Sequence, residues 1–181
     1  MKKNTLFLGV LFLAVLSVSF VNTDDWVLFE AHGCQIYFPK KPADQSQTIN
    51  SAIGELKLNI HMYEVPEDAK DDNKLYGLIE TEYPGDKINS DMKDKLDNIF
   101  RNSVDGAVSN VQGKLLTESI IELKGFPGRE VRIRVKDGVG IIRMRSYLVK
   151  NRMYVIETVA ETKNDANKAS DRFMNSFKLM K

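Results

Sequence analysis

The chain has 181 residues, with 26 Lys and Arg against 25 Asp and Glu, a formal net charge of +1 and a single cysteine. So even a charge balance argues against general nucleic-acid binding, which draws its affinity from an excess of phosphate-neutralising cations. One cysteine excludes an intramolecular disulfide, so stability has to come from packing.

Lys2 and Lys3 precede the apolar run "LFLGVLFLAVL", which ends near the small-x-small triplet Ser17-Val18-Ser19. This is the pattern of a secretory signal peptide, with cleavage expected after Ser19. An uncleaved N-terminal anchor is the competing reading. The run from Leu6 to Val21 is shorter than the roughly 18 or more residues of a spanning helix, and no later stretch approaches that length. The expected organisation is a signal peptide over residues 1–19 and one α+β domain over 20–181, exported to a periplasm or the extracellular space. Removing the signal leaves about 160 residues, enough for one continuous core. Cys34 lies well beyond the apolar run, behind Asp24, Asp25, Trp26 and Glu30, so lipid anchoring is not expected.

The stretch "WVLFEAHGCQIYFPKKP" reads as two short strands joined near His32-Gly33 and stopped by Pro39 and Pro42, with Cys34, Ile36 and Phe38 on one face. Residues 43–52 read as a loop or irregular edge. In "GELKLNIHMYEV", Leu56, Leu58, Ile60 and Met62 alternate with Glu55, Lys57, Asn59 and His61, which predicts a strand with His61 on its polar side. "PEDAKDDNK" is an acidic turn-rich loop, and "LYGLIETEYP" a further strand. Apolar spacings of three and four from Ser90 to Val111 predict an amphipathic helix capped by Asn89 or Ser90, with Asp91 and Asp94 at the positive end of its dipole.

Four strand-like runs follow: "KLLTESIIEL", "REVRIRV", "GIIRMRSYLV" and "MYVIETVAE". Residues 125–128, Asp137-Gly138 and Lys150-Asn151 separate them, which predicts an antiparallel meander. Ala166, Ala169, Phe173 and Phe177 predict a closing helix behind an Asn164 or Asp165 cap. The resulting fold class is α+β: six to eight mostly antiparallel strands with a helix on each face, an α-β-α sandwich.

The opening "CQIYFPKKP", the long central helix, the meander after "GFPGREVRI" and the terminal "FMNSFKL" together resemble the PsbP-like fold. That family includes the extrinsic photosystem II subunit, a nuclear-import factor that binds Ran, and many exported bacterial proteins. The resemblance implies a non-catalytic binding or assembly role. It transfers no functional residue set to positions of this chain.

Chemistry-bearing motifs are few. His32 and His61 are the only histidines, and no Gly-x-Ser-x-Gly elbow accompanies them. "DGVG" at Asp137–Gly140 lies in a hairpin rather than opening a helix, so it is no phosphate loop. His32, Cys34 and His61 could in principle supply the roughly three donors of a soft metal site. The reading adopted is a loop histidine, a packed thiol and a polar-face histidine, with no metal and no cofactor. Glu67, Asp68, Asp71 and Asp72 lack the glycine and final glutamate of a calcium loop.

The candidate binding surface is "REVRIRVKDGVGIIRMRS". A two-residue turn at Asp137-Gly138 would place Val131 and Ile133 opposite Met144 and Ile142 on one face. Glu130 would face Arg145, Arg132 would face Arg143, and Arg134 would face Ile141 on the other. Facing arginines cost about 0.2 to 1 kcal/mol unless compensated. Glu130 with Glu118 or Glu122 could supply that compensation from within, or a ligand could supply it from outside. Arg132, Arg134, Arg143 and Arg145 are therefore the candidate anion- or partner-binding residues. Tyr147 and Tyr154 extend the surface, opposite each other across a Lys150-Asn151 turn.

The functional expectation is an exported, non-catalytic binding or assembly protein engaging a protein partner, such as another envelope protein, or a small anion through a sheet face or sheet-helix cleft. A carrier of an apolar ligand is the alternative. An enzyme using Glu118, Glu122 or Glu130 is the third reading.

Overall fold

The computed structural model describes residues 25–51 and 53–180. The expected signal peptide lies outside the described residues. Among the described residues there are ten strands and two α-helices: β1 Val27–Ala31, β2 Cys34–Phe38, β3 Ala43–Ser51, β4 Gly54–Glu64, β5 Asn73–Glu82, α1 Leu96–Asn110, β6 Lys114–Leu123, β7 Phe126–Arg134, β8 Gly140–Val149, β9 Arg152–Glu161, α2 Lys168–Ser176 and β10 Lys178–Leu179.

Seven strands make one sheet in the order β3-β4-β5-β9-β8-β7-β6, and β1-β2-β10 make a second. Every neighbouring pair is antiparallel. The chain lays down β3-β4-β5, crosses one face through α1, and returns as the meander β6 to β9, so β9 closes against β5. This is the expected α+β class and meander. The first hairpin is a separate small sheet rather than part of the large one.

Each face of the large sheet has its own cover. Phe100 and Val104 of α1, both fully buried, meet Val131, Ile133, Ile142, Met144, Leu148 and Met153. On the opposite face, β2 and α2 press Cys34, Ile36, Phe38, Phe173 and Met174 against Tyr76, Leu78, Tyr154 and Ile156. The strict alternation of Cys34, Ile36 and Phe38 is what lets a five-residue strand seal that core. Because this second layer also covers β4, its predicted polar side is not a solvated one: His61 is buried.

Several boundaries differ from expectation. Residues 43–51 form a long exposed edge strand. α1 begins at Leu96, not near Ser90, because the Ser90 N–H donates to the Lys150 carbonyl and ties this segment to the β8–β9 turn. Asn89 still accepts locally, from the Asp91 N–H at 2.9 Å. The α2 cap is Asn167, whose side chain accepts from the Ser170 N–H at 2.7 Å. Asn167 also exchanges amide hydrogen bonds with buried Asn73 of β5, at 3.0 and 3.1 Å, which pins α2 to the sheet.

The terminal helix breaks at Phe177, and β10 adds to β2. The β6–β7 turn is Lys124-Gly125, with both residues at positive φ, and residues 126–128 belong to the strand. Pro127 is tolerated because pairing with β8 starts only at Gly128.

Candidate functional site

The register of the arginine hairpin is the expected one: Glu130 opposite Arg145, Arg132 opposite Arg143, Arg134 opposite Ile141. The turn is wider than two residues. Lys136–Gly138 form a short 3-10 turn with Asp137 at φ 67°, and Val135 donates to the Gly140 carbonyl. Centring is unchanged, so the same residues still face each other.

The arginine face lies under α2 and its approach; Glu130 of the hairpin supplies part of the compensation, as expected, and the other acids come from α2 and its approach rather than from Glu118 or Glu122. Arg132 pairs with Asp165. Arg143 meets Asp171 at 2.8 Å and Glu130 at 3.9 Å, and Arg145 donates to Glu130 at 2.7 Å and to Asn175 at 2.9 Å. Arg134 is exposed. An open cleft of about 310 Å³ remains beside these pairs, lined by Arg132, Arg143, Lys168, Glu130, Asp165 and Asp171. Its three cations and three acids balance, so its lining carries no net positive charge to favour an anion.

Glu118 lies on the other face of the sheet, with Arg101 and Arg129, and so does not converge with Glu130. In the acidic loop, Asp71 accepts from the Tyr76 hydroxyl and the Asn73 N–H, both at 2.9 Å, which is a structural role. Tyr147 and Tyr154 do face each other across a two-residue turn, but both are largely buried and do not continue the arginine face as an open surface. Tyr147 stacks on Phe177 with centroids 5.9 Å apart, and its ring sits over Gly128, where a side chain would collide with it. The Tyr154 hydroxyl donates to the His32 carbonyl at 2.6 Å.

A second cleft, of about 530 Å³, opens between the β8–β9 turn and the C-terminal strand. Its floor is Phe126, Val149, Tyr154 and Leu179, and Lys124, Lys150 and Arg152 stand around it without an acidic residue in the lining. Lys124 donates to the Leu179 carbonyl at 2.9 Å, and Arg152 pairs with Glu82 at 2.6 Å.

Beside this cleft, the second layer brings together three residues distant in sequence. Glu80 of β5 is 1% exposed; its Oε2 lies 3.0 Å from His32 Nδ1, and its Oε1 3.3 Å from His61 Nε2. His61 Nδ1 contacts Asp44 of the edge strand at 2.7 Å, and the Phe29 ring covers it at 4.6 Å between centroids. Burial works to lower the His61 pKa, but the Glu80 and Asp44 carboxylates outweigh it, so the net shift is upward.

Cys34 joins no such group. It is fully buried in the apolar core, and burial, helped by the Glu80 charge, pushes its thiol up to about 12. Sequence reasoning found both histidines but missed Glu80. The available signal was an acid at a core-facing position, in step with Tyr76 and Leu78.

No protein-family model matches the chain, and no curated protein matches it. Among solved structures, it is similar to the solution structure of a cyanobacterial PsbP (CyanoP) from Synechocystis sp. PCC 6803. That match has 12% identity and a TM-score of 0.46, covering 91% of this chain and 98% of that one. It is also similar to PA94, a Pseudomonas aeruginosa protein of unknown function described as a candidate regulator. There the identity is 11% and the TM-score 0.33, over 77% of this chain and 85% of that one. Among the described residues, no helix is long and apolar enough to cross a membrane.

Proposed function

We propose that this chain is an exported, non-catalytic binding or assembly protein, and that it engages a partner through the basic-rimmed cleft between the β8–β9 turn and the C-terminal strand. The observation that carries this reading is the lining. Lys124, Lys150 and Arg152 surround an apolar floor of Phe126, Val149 and Leu179. Apolar contact area with cations at its edge suits a protein segment that presents a hydrophobic side chain beside carboxylates. The arginine hairpin is a poorer candidate, since Arg132, Arg143 and Arg145 are engaged by acids of their own chain.

The test is chemical cross-linking of the protein to envelope components, comparing wild type with Lys124→Glu/Lys150→Glu. Both lysines lie in turns; because Lys124 also holds the Leu179 carbonyl, Lys150→Glu alone serves as the companion variant that leaves that hydrogen bond in place. A specific partner should be captured by wild type and lost from the variant by roughly tenfold or more. Undiminished capture of the same partner would count against this cleft.

The apolar floor also favours a second reading, a carrier of an apolar ligand with an anionic end. Native mass spectrometry separates the two: a carrier retains a small ligand through purification, whereas an assembly protein emerges empty or bound to another chain.

A further inference from the structure

The His61 ring poses a problem of protons. Its Nδ1 lies 2.7 Å from an Asp44 oxygen. An ionised carboxylate only accepts, so Nδ1 carries the hydrogen. In the neutral ring Nε2 is then a bare lone pair, and it faces Glu80 Oε1 at 3.3 Å. Two acceptors confront each other in a buried position. Neither His61 Nε2 nor either Glu80 oxygen has a well-angled hydrogen bond, although Glu80 is 1% exposed. Buried polar atoms without partners are rare and call for a specific occupant.

His32 approaches the same carboxylate from the other side, 3.0 Å from Oε2. Its position is fixed by its backbone. It occupies a turn at φ 37°, and its carbonyl accepts from the Tyr154 hydroxyl at 2.6 Å and from Arg152 Nη1 at 2.8 Å. Donor atoms of His32, His61 and Glu80 all lie within 4.8 Å of one another.

We propose that His32, His61 and Glu80 bind one divalent transition-metal ion, with zinc the best fit to two imidazoles and a carboxylate. Ligands about 2.0–2.2 Å from a tetrahedral zinc stand roughly 3.3–3.5 Å apart; the two histidine–Glu80 separations, 3.0 and 3.3 Å, are close to this, and the remaining separation, within 4.8 Å, closes by side-chain rotation around the ion. The Asp44–His61 contact supplies the outer carboxylate that such histidines use to fix tautomer and orientation. The His32 side chain is 48% exposed, which leaves the fourth position open to water or to a donor from a partner. Cys34, fully buried among apolar residues, takes no part. The nearest cation, Arg152, is turned toward Glu82 and the His32 carbonyl. An imidazolium at His61 is the competing way to separate the two acceptors, and the experiment has to distinguish them.

The test is isothermal titration of zinc chloride into chelator-stripped protein, with cobalt(II) as a spectroscopic substitute. The expected result is one ion per chain and visible cobalt bands of tetrahedral intensity. Loss of affinity in His32→Asn and Glu80→Gln should be roughly tenfold or more, and in Asp44→Asn about 10- to 100-fold. Asparagine tolerates the left-handed turn at position 32, and Asp44 lies on an exposed edge strand, so these two variants test the site even if Glu80→Gln folds poorly. Absence of one-to-one binding, or binding that His32→Asn and Asp44→Asn leave unchanged, overturns the proposal in favour of a protonated His61.

Discussion

Two polar clusters sit on the same face of the large sheet, under the same layer, and they are built differently. At the β7–β8 end, Arg132, Arg143 and Arg145 meet Asp165, Asp171 and Glu130, and the facing of like charges is compensated within the chain. At the β4–β5 end, Glu80 is buried against two histidines with its oxygens unsatisfied. The difference teaches which cluster serves the fold. Charges paired within the chain are what a sheet needs when a helix covers it, even with Asp165 Oδ1 left without a hydrogen bond, whereas the Glu80 cluster, with both carboxylate oxygens and a facing imidazole nitrogen unbonded, is where we propose that a metal ion binds.

The largest expected effect comes from removing the cover the clusters share. Phe173 is fully buried between Phe38 and Tyr76. Phe173→Ala should destabilise the protein by about 3–5 kcal/mol in urea denaturation. A loss much below that would mean that α2 is not essential to either region.

Next comes Arg132→Gln, which leaves the Asp165 carboxylate buried and without its cation. We expect a loss of about 1–3 kcal/mol by the same measurement. Asp171→Asn should cost only about 0.2–1 kcal/mol, because Asp171 is largely solvated and Arg143 keeps Glu130.

The smallest effect belongs to a solvent pair. Lys163, and after it Lys74, hold the exposed Glu161 carboxyl below its ordinary value. A depressed folded pKa stabilises above the unfolded value and loses that contribution as pH falls through the folded one. Glu161→Gln should therefore leave the neutral-pH melting curve within repeat scatter, and any difference from wild type should vanish in acid. A clear drop in melting temperature at neutral pH would mean that even solvated pairs hold this fold together.

Much of the architecture was legible from local pattern. Cys34, Ile36 and Phe38 announced their face by alternation, and the hairpin register followed from the centring of Asp137-Gly138 between two strands whose apolar residues then matched. What escaped depended on contacts between distant segments. Thr162 donates to the Gly138 carbonyl at 2.6 Å and helps set a turn that local sequence reads as a tighter one. Phe177 keeps helical spacing with Phe173, yet Lys178 and Leu179 leave the helix because β2 offers an open edge.

The site was half legible for the same reason. Both histidines stand out as rare residues, but Glu80 looks like one more strand acid until β1 and β2 fold over β4 and β5. The arginines had the opposite history: their row was plain in the sequence, and the acids that engage most of them come from the last third of the chain.

The most direct test of the contrast is to compare the urea midpoints of Arg132→Gln and Glu80→Gln in chelator over a pH series carried well above the ordinary histidine range, because Glu80 and Asp44 shift the His61 pKa upward, and to read the comparison at its alkaline end. The account predicts a lowered midpoint for Arg132→Gln and an unchanged or raised one for Glu80→Gln, since neutralising an unsatisfied buried carboxylate removes a cost. A Glu80→Gln loss equal to or larger than that of Arg132→Gln would contradict it, making the histidine–glutamate cluster a structural ion pair like the others.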